Sequence, residues 1–177
     1  MNSNARSIAA NGARRLALAA GLLVAAAAAS AAVDKPESAC LFTQAELARA
    51  IGNGAGAGEP YEVKLGTKHL GWSCRYPSGS GRVKVDVVVE KGDAARFESN
   101  RRLAEKIAQP RQFHLISGVG EAAFVGQGGS VEMLSSGRLL RVGHLHMAAG
   151  RSVADAEIRA LLQIGLERMA KVNVTGR

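Results

Sequence analysis

Two histidines in the last quarter of the chain have the residue type and spacing that could do chemistry. One residue separates His144 from His146, and Met147 follows directly. In an extended strand, residues two apart point to the same face, so both imidazoles could reach one metal ion. The pattern leaves two interpretations open: a metal site that uses His144 and His146, with Met147 as a further candidate ligand, or two histidines on a partly exposed sheet face.

The motifs of common enzymes give no catalytic residue. Gly118, Gly120 and Ala123 fit a loose dinucleotide fingerprint, but that fingerprint needs a helix, and the following Phe124 and Val125 are typical of a strand. No serine lies in the Gly-x-Ser-x-Gly turn of the α/β-hydrolases, so nothing selects a nucleophile with its base. We expect no cofactor and no catalysis, and keep a hydrolase without a recognisable motif as an alternative.

Arginines cluster on two segments of the chain. The residues proposed for an anion-binding face are Arg96, Arg101, Arg102, Arg138 and Arg141. Such a face could bind an anionic surface, such as lipid headgroups or an acidic polymer. Because Glu98 and Glu105 are interspersed among the arginines, an ordinary solvated helix surface is the other interpretation.

The first 32 residues have the three-part pattern of a secretory signal. The segment 1–15 is basic and has no acidic residue, 16–29 is apolar or small, and small residues at 29–32 offer a cleavage site. The apolar run is shorter than the ~20 residues that span a bilayer. We therefore predict removal of residues 1–32, by the general secretory or the twin-arginine route, and a periplasmic or secreted protein that is not transmembrane after cleavage.

The remaining residues, 33–177, have the composition of one small domain. Three arginines belong to the signal, which leaves 20 basic against 15 acidic residues and a net charge of +5, compared with +8 for the whole chain. Charged residues make up 21% of the chain and apolar residues 47%, which excludes a disordered tail and a polytopic membrane protein. We expect a single modest core and no binding of nucleic acid.

Cys40 and Cys74 are the only cysteines in the chain. Outside the cytoplasm, two cysteines in one small domain form a disulfide in the simplest case, and only this pairing is possible. A redox pair would favour the spacing Cys-x-x-Cys, which this chain does not have. The sequence therefore predicts a structural bridge.

Alternating patterns of helix and strand predict the architecture. The predicted helices are Gln44 to about Ile51 after a Thr43–Glu46 capping box, Asp93 to about Ala108 with Ile107 toward the core, and a last helix that buries Ile158, Leu161 and Leu162. The predicted strands are Tyr61–Leu65, Gly71–Tyr76, Val83–Val89, Phe113–Ile116 continuing into Ala122–Val125, Val131–Leu134 and Leu139–Met147, and a mobile glycine-rich loop is predicted at 52–58. The fold class is α+β, with a mostly antiparallel sheet of about six strands and about three helices in the order helix, three strands, helix, three strands, helix.

Three short motifs follow the predicted signal: Cys40-x-x-Thr43-x-x-Glu46-Leu47 with Ala50-Ile51-Gly52, then Cys74-Arg75-Tyr76, and then Gly118-Val119-Gly120-Glu121-x-Ala123-Phe124. Together they resemble a broad group of exported bacterial domains of unknown function, many of them lipoproteins. The resemblance implies a capped helix after the first cysteine and a strand that contains the second, and it brings no catalytic assignment. This chain lacks the lipid-attachment box of the lipoproteins. The architecture is also similar to the sheet-and-helix sandwiches of photosystem extrinsic subunits of the PsbP type.

These patterns together favour a small exported domain that binds an unidentified protein or small molecule and is not a catalyst. Two alternatives stay open, a periplasmic metal-handling protein that uses His144 and His146, and the hydrolase without a recognisable motif.

Overall fold

A computed structural model describes residues 32–52, 54–79, 83–109 and 112–174 of the protein. All of the predicted signal segment except Ala32 lies outside these residues. Within them, no helix combines the length and the apolar character that crossing a membrane requires.

Among the described residues, seven strands form one antiparallel sheet. They are β1 (Glu59–Leu65), β2 (Lys68–Pro77), β3 (Lys84–Lys91), β4 (His114–Ile116), β5 (Ala122–Val125), β6 (Val131–Ser135) and β7 (Arg138–Val142). Their order across the sheet is β1-β2-β3-β7-β6-β5-β4, so two meanders meet where β3 pairs with β7. The predicted α+β class with an antiparallel sheet is confirmed. The sheet has one strand more than predicted because the segments on either side of the Gly118–Gly120 turn pair with each other as β4 and β5.

In the part of the chain that the structure describes, four α-helices accompany the sheet, one more than predicted. They are α1 (Gln44–Ile51), α2 (Ala94–Ile107), α3 (Leu145–Ala149) and α4 (Asp155–Met169). The predicted capping box of α1 is confirmed: the Thr43 hydroxyl accepts from the Glu46 N–H, and the Glu46 carboxylate accepts from the Thr43 N–H at 2.7 Å. The extra helix is α3, which replaces the end of a predicted strand.

The two faces of the sheet are covered unequally. The main core contains Val85, Val87 and Val89 of β3, and α1, α3 and α4 contribute their buried residues to it. The opposite face carries α2, where Phe97 belongs to a smaller cluster with Phe124. Because strand residues alternate between faces, the polar positions of β3, Asp86 and Glu90, lie on the α2 side.

The Cys40–Cys74 disulfide is present and fixes α1 to β2. Next to it, the fully buried Tyr76 hydroxyl donates to the Phe42 carbonyl at 2.8 Å and accepts from the Phe42 N–H at 2.9 Å. Burial raises the pKa of Tyr76 to about 12, so this hydroxyl stays protonated and can donate at any physiological pH. The bridge and the tyrosine together set the path by which the chain enters α1.

The glycine-rich loop packs against β2 over residues 54–58, whereas the sequence predicts a mobile loop there. The Gly56 N–H donates to the Pro77 carbonyl at 2.7 Å, and Ala55 is buried. A Cβ at Gly58 would lie 2.7 Å from the Tyr76 ring and 2.8 Å from the Cys74 sulfur. The close approach of this segment to the disulfide therefore requires glycine at position 58.

Candidate functional site

The prediction of a strand over Leu139–Met147 is wrong beyond Val142, and this changes the histidine arrangement. Strand β7 ends at Val142, His144 adopts a left-handed backbone conformation with φ of 60°, and α3 begins at Leu145. His144 and His146 therefore do not share a strand face. Among the described residues, no group of three or more His, Cys, Asp or Glu side chains could hold a metal ion.

His144 lies close to Met147 at one wall of a groove. A Cβ at Gly128 would lie 3.3 Å from the Met147 sulfur and 3.7 Å from His144 Nδ1, so both side chains cover this glycine. The Ser130 hydroxyl accepts from the main-chain N–H of His144 at 3.4 Å. The structure thus brings a serine near a histidine, but the contact is to the main chain and not to the imidazole.

His146 belongs to a different environment from His144. Its Nδ1 accepts from the Val153 N–H at 3.2 Å, and it contacts the turn at Gly129. Burial, with a smaller effect of the nearby His114, lowers the pKa of His146. His146 is therefore a packing residue that connects α3 to the start of α4.

The five arginines of the predicted anion-binding face do not form one face. Arg138 and Arg141 lie on opposite sides of β7, because Arg138 donates to the Met169 carbonyl at the end of α4 and Arg141 lies on the α2 side. Arg101 pairs with Glu98 and Glu105, and Arg102 pairs with Glu98 at 2.8 Å. Arg96 and Arg141 both pair with Glu90. Each of the five arginines is thus bound within the protein.

A groove of about 610 Å³ lies between α2 and the sheet. One wall is the C-terminal half of α2, with Leu103 and Ile107, and the other is formed by the turn 126–130 together with Met147. Leu103 is 59% exposed, and Ile107 and Met147 are each 57% exposed. Among the described residues, five large apolar side chains are exposed, and three of them line this groove.

Helix α2 leaves these apolar side chains uncovered because it is attached mainly through its N-terminal half. Phe97 is its one buried residue among those described, and the Phe97 ring lies 5.4 Å from the Phe124 ring. Leu103 and Ile107 are four residues apart and so share a side of the helix. The prediction that Ile107 points into the core is wrong, because Ile107 is 57% exposed and lines the groove.

The floor of the groove carries charged side chains from three adjacent strands. Arg141 of β7 lies between Val88 of β3 and Glu132 of β6, and Glu132 lies opposite Phe124 of β5. Both oxygens of Glu132 accept from the Asn100 amide of α2, at 2.9 and 3.1 Å. Burial raises the pKa of Glu132, although the Asn100 hydrogen bond and the charge of Arg141 oppose that effect.

A fully buried carboxylate, Glu90, anchors the charged floor. It pairs with Arg141 on one side and with Arg96 of α2 at 2.9 Å on the other. Arg141 Nε is also buried, lies 3.8 Å from Glu132 and, within the part of the chain that the structure describes, donates no hydrogen bond. The groove thus combines apolar walls with a polar floor that has one unused donor.

The sequence contains two signals for this groove that belong to none of the catalytic or metal-binding motifs. Glu132 interrupts an otherwise apolar segment, Val131–Leu134, and Leu103 and Ile107 form an apolar pair on a strongly charged helix.

Comparisons of the chain with protein-family models, with curated proteins and with solved structures gave no match. The resemblance to exported bacterial domains stays a prediction.

Proposed function

We propose that the protein is a non-catalytic binding module of the periplasm or the extracellular space. Its ligand is an elongated small molecule with a large apolar part, and it binds in the groove beside α2. The volume of about 610 Å³ falls within the ~300–1,000 Å³ typical of small-molecule sites.

The observation that carries this proposal is the convergence of Leu103, Ile107 and Met147 on one groove while each stays more than half exposed. Full burial of such a side chain is worth about 1.5–3 kcal/mol relative to full exposure. A ligand that covers the three side chains would recover a large part of that free energy. Single exposed apolar residues are ordinary on protein surfaces, but their grouping around a concave site is typical of a binding site.

The disulfide supports a location outside the cytoplasm. A bridge such as Cys40–Cys74 is compatible with an oxidising compartment, and cytosolic proteins rarely keep one. The predicted signal at residues 1–32 is consistent with the same location.

Binding is favoured over the two alternative functions by what surrounds the groove. The metal hypothesis relied on His144 and His146 sharing a strand face, and the backbone turns at His144 instead. For hydrolysis, Ser130 would need the His144 imidazole as its base, but the serine contacts the His144 main chain. Binding of an apolar ligand between the groove walls requires neither a shared histidine face nor a serine–histidine pair.

Fluorescence of N-phenylnaphthylamine, an uncharged apolar probe that brightens in apolar sites, tests the proposal. We expect saturable binding by the purified protein, weakened about fivefold by Leu103→Ser or Ile107→Ser, since each removes about 1 kcal/mol of apolar contact. Leu65→Ser is the matched control because Leu65 is also exposed but lies on β1, away from the groove. Equal binding by the Leu103 and Leu65 variants, or no binding by the unmodified protein, would contradict the proposed function.

A further inference from the structure

We propose that the ligand of the groove carries an uncharged amide group at its polar end, as in a fatty amide or an N-acyl compound. This inference rests on the binding function proposed above and specifies the chemical class of the ligand. It follows from the charge balance of the groove floor and from the hydrogen-bonding groups that the floor leaves unused.

The charges of the floor and of the groups that pair with it cancel. The acidic groups are Asp86, Glu90 and Glu132, and the basic groups that pair with them or face them are Arg75, Arg96 and Arg141. Arg75 holds Asp86 at 2.9 Å, Arg96 and Arg141 share Glu90, and Arg141 also faces Glu132. With each group in its ordinary charge state, three negative charges meet three positive charges.

A charged head group would upset this balance. It would leave one uncompensated charge in a groove that its own apolar chain closes off from water, and burial of an unpaired charge costs far more than burial of a hydrogen-bonded neutral group. An uncharged polar group adds no net charge. The balance therefore selects against carboxylate and ammonium heads alike.

The floor nevertheless offers one donor and one acceptor side by side. The Arg141 side chain is 40% exposed: its Nη2 donates to Glu90, its Nε is buried, and its Nη1 makes no hydrogen bond to the described residues. The Asp86 side chain is 35% exposed, its Oδ1 accepts from Arg75, and its other oxygen accepts no hydrogen bond in that part of the chain.

These two side chains can serve the two ends of one amide. Val88 lies opposite Arg141, so Asp86, two residues away on the same strand, is a diagonal neighbour on the same sheet face. Diagonal neighbours have their Cβ atoms about 7–8 Å apart, close enough for both side chains to reach one small polar group. An amide carbonyl would accept from Arg141, and the amide N–H would donate to Asp86.

Three probes with the same alkyl chain isolate the head group: octanamide, octanoate and octylammonium. We expect octanamide to displace N-phenylnaphthylamine at about tenfold lower concentration than either ion, at neutral pH and low salt. Displacement by octanoate or octylammonium at an equal or lower concentration would overturn the inference, as would a bound probe that none of the three displaces. If N-phenylnaphthylamine itself does not bind, the proposed function fails, which is a distinct result.

Two substitutions then change the charge balance in opposite directions. Asp86→Asn leaves the floor one charge positive and should shift the preference toward octanoate about tenfold, whereas Arg141→Gln should shift it toward octylammonium by a similar factor. Glu37→Gln is the control, because it removes one negative charge from an exposed residue outside the groove and should change no preference.

The two variants also protect the test against a folding defect. Glu90 keeps Arg96 as a partner in Arg141→Gln, and Asp86 is partly exposed. If Arg141→Gln does not fold, the order in which the three probes bind to Asp86→Asn is by itself the test of the inference. An unchanged order of the three probes in a folded Asp86→Asn protein would overturn the inference.

Discussion

Removal of the Cys40–Cys74 bridge should cost a large part of the stability of the protein. The two cysteines are 34 residues apart in sequence, and the chain-entropy treatment of a closed loop of this length gives about 4 kcal/mol. Small domains have a total stability of about 5–15 kcal/mol, so a loss of this size is a substantial fraction. For a domain of this size it corresponds to a fall in melting temperature on the order of 10 °C.

The measurement is urea unfolding and thermal melting of the Cys40→Ala/Cys74→Ala double variant, followed by circular dichroism. Alanine is chosen because the Cys74 side chain is fully buried and a serine hydroxyl there would add a separate desolvation cost. The control is dithiothreitol: it should destabilise the unmodified protein to the level of the double variant and leave the double variant unchanged.

The reasoning would be refuted by a double variant that melts within about 2 °C of the unmodified protein. Such a result would mean that the hydrogen bonds of Tyr76 and the packing of the 54–58 segment hold α1 on β2 without the bridge. Sensitivity of the double variant to dithiothreitol would show instead that the reductant acts elsewhere.

Two further predictions concern the attachment of α1. Tyr76→Phe should lower the free energy of unfolding by about 2 kcal/mol or more, because it leaves the buried N–H and carbonyl of Phe42 without partners. Urea unfolding measures this loss. Tyr61→Phe is the control, because Tyr61 is partly exposed and its substitution should change the free energy of unfolding little. The second prediction concerns Glu46. Burial alone would raise the pKa of Glu46, but hydrogen bonds with Arg168 and Thr43 outweigh burial and lower that pKa below its ordinary 4.5. The stabilisation that the ionised Glu46 carboxylate provides is therefore complete above pH 4.5 and is lost as the pH falls through the folded-state pKa. We expect the difference in unfolding free energy between the unmodified protein and Glu46→Gln to narrow below pH 4.5. A difference that does not change with pH would contradict this prediction.

The elements of the fold could be predicted where local chemistry alone determines them. The Thr43–Glu46 capping box set the start of α1, and the alternation from Val83 to Val89 set β3, because each pattern has one favourable arrangement in the folded chain. The disulfide followed from counting, since two cysteines allow one pair. These features need no knowledge of the neighbouring elements.

The candidate site could not be predicted in the same way, because its side chains depend on where the backbone changes direction. The run from Leu139 to Met147 has no proline, and its apolar residues fit a strand, yet the chain leaves the sheet at Gly143 and turns at His144 into α3. A change of direction at one residue separated His144 from His146 and placed Met147 in the groove. Single-sequence periodicity is insensitive to such a change, because a short helix and a strand can carry the same apolar residues.

The prediction of an arginine face was limited in the same way, because the sequence does not show which charges pair in the folded chain. Their number on α2 and β7 suggested a cationic face, but a formal charge attracts external anions less strongly where a neighbouring carboxylate neutralises it. Glu98 and Glu105 lie three and four residues from Arg101 on the same helix, which the sequence makes visible. The pairing of Arg141 with Glu90 joins residues 51 positions apart and depends on the β3–β7 register, which the sequence does not show.

The groove and the polar floor have a common physical cause. Because Glu90 and Glu132 are charged positions on the sheet face beneath α2, the helix satisfies them with Arg96 and Asn100. An entirely apolar face would instead attract the apolar side chains of α2. The charged floor therefore holds the N-terminal half of the helix, whereas Leu103, farther along, stays 59% exposed. A ligand with an apolar chain and an uncharged amide would complete this arrangement, since it supplies the missing apolar contact without adding a charge to the floor.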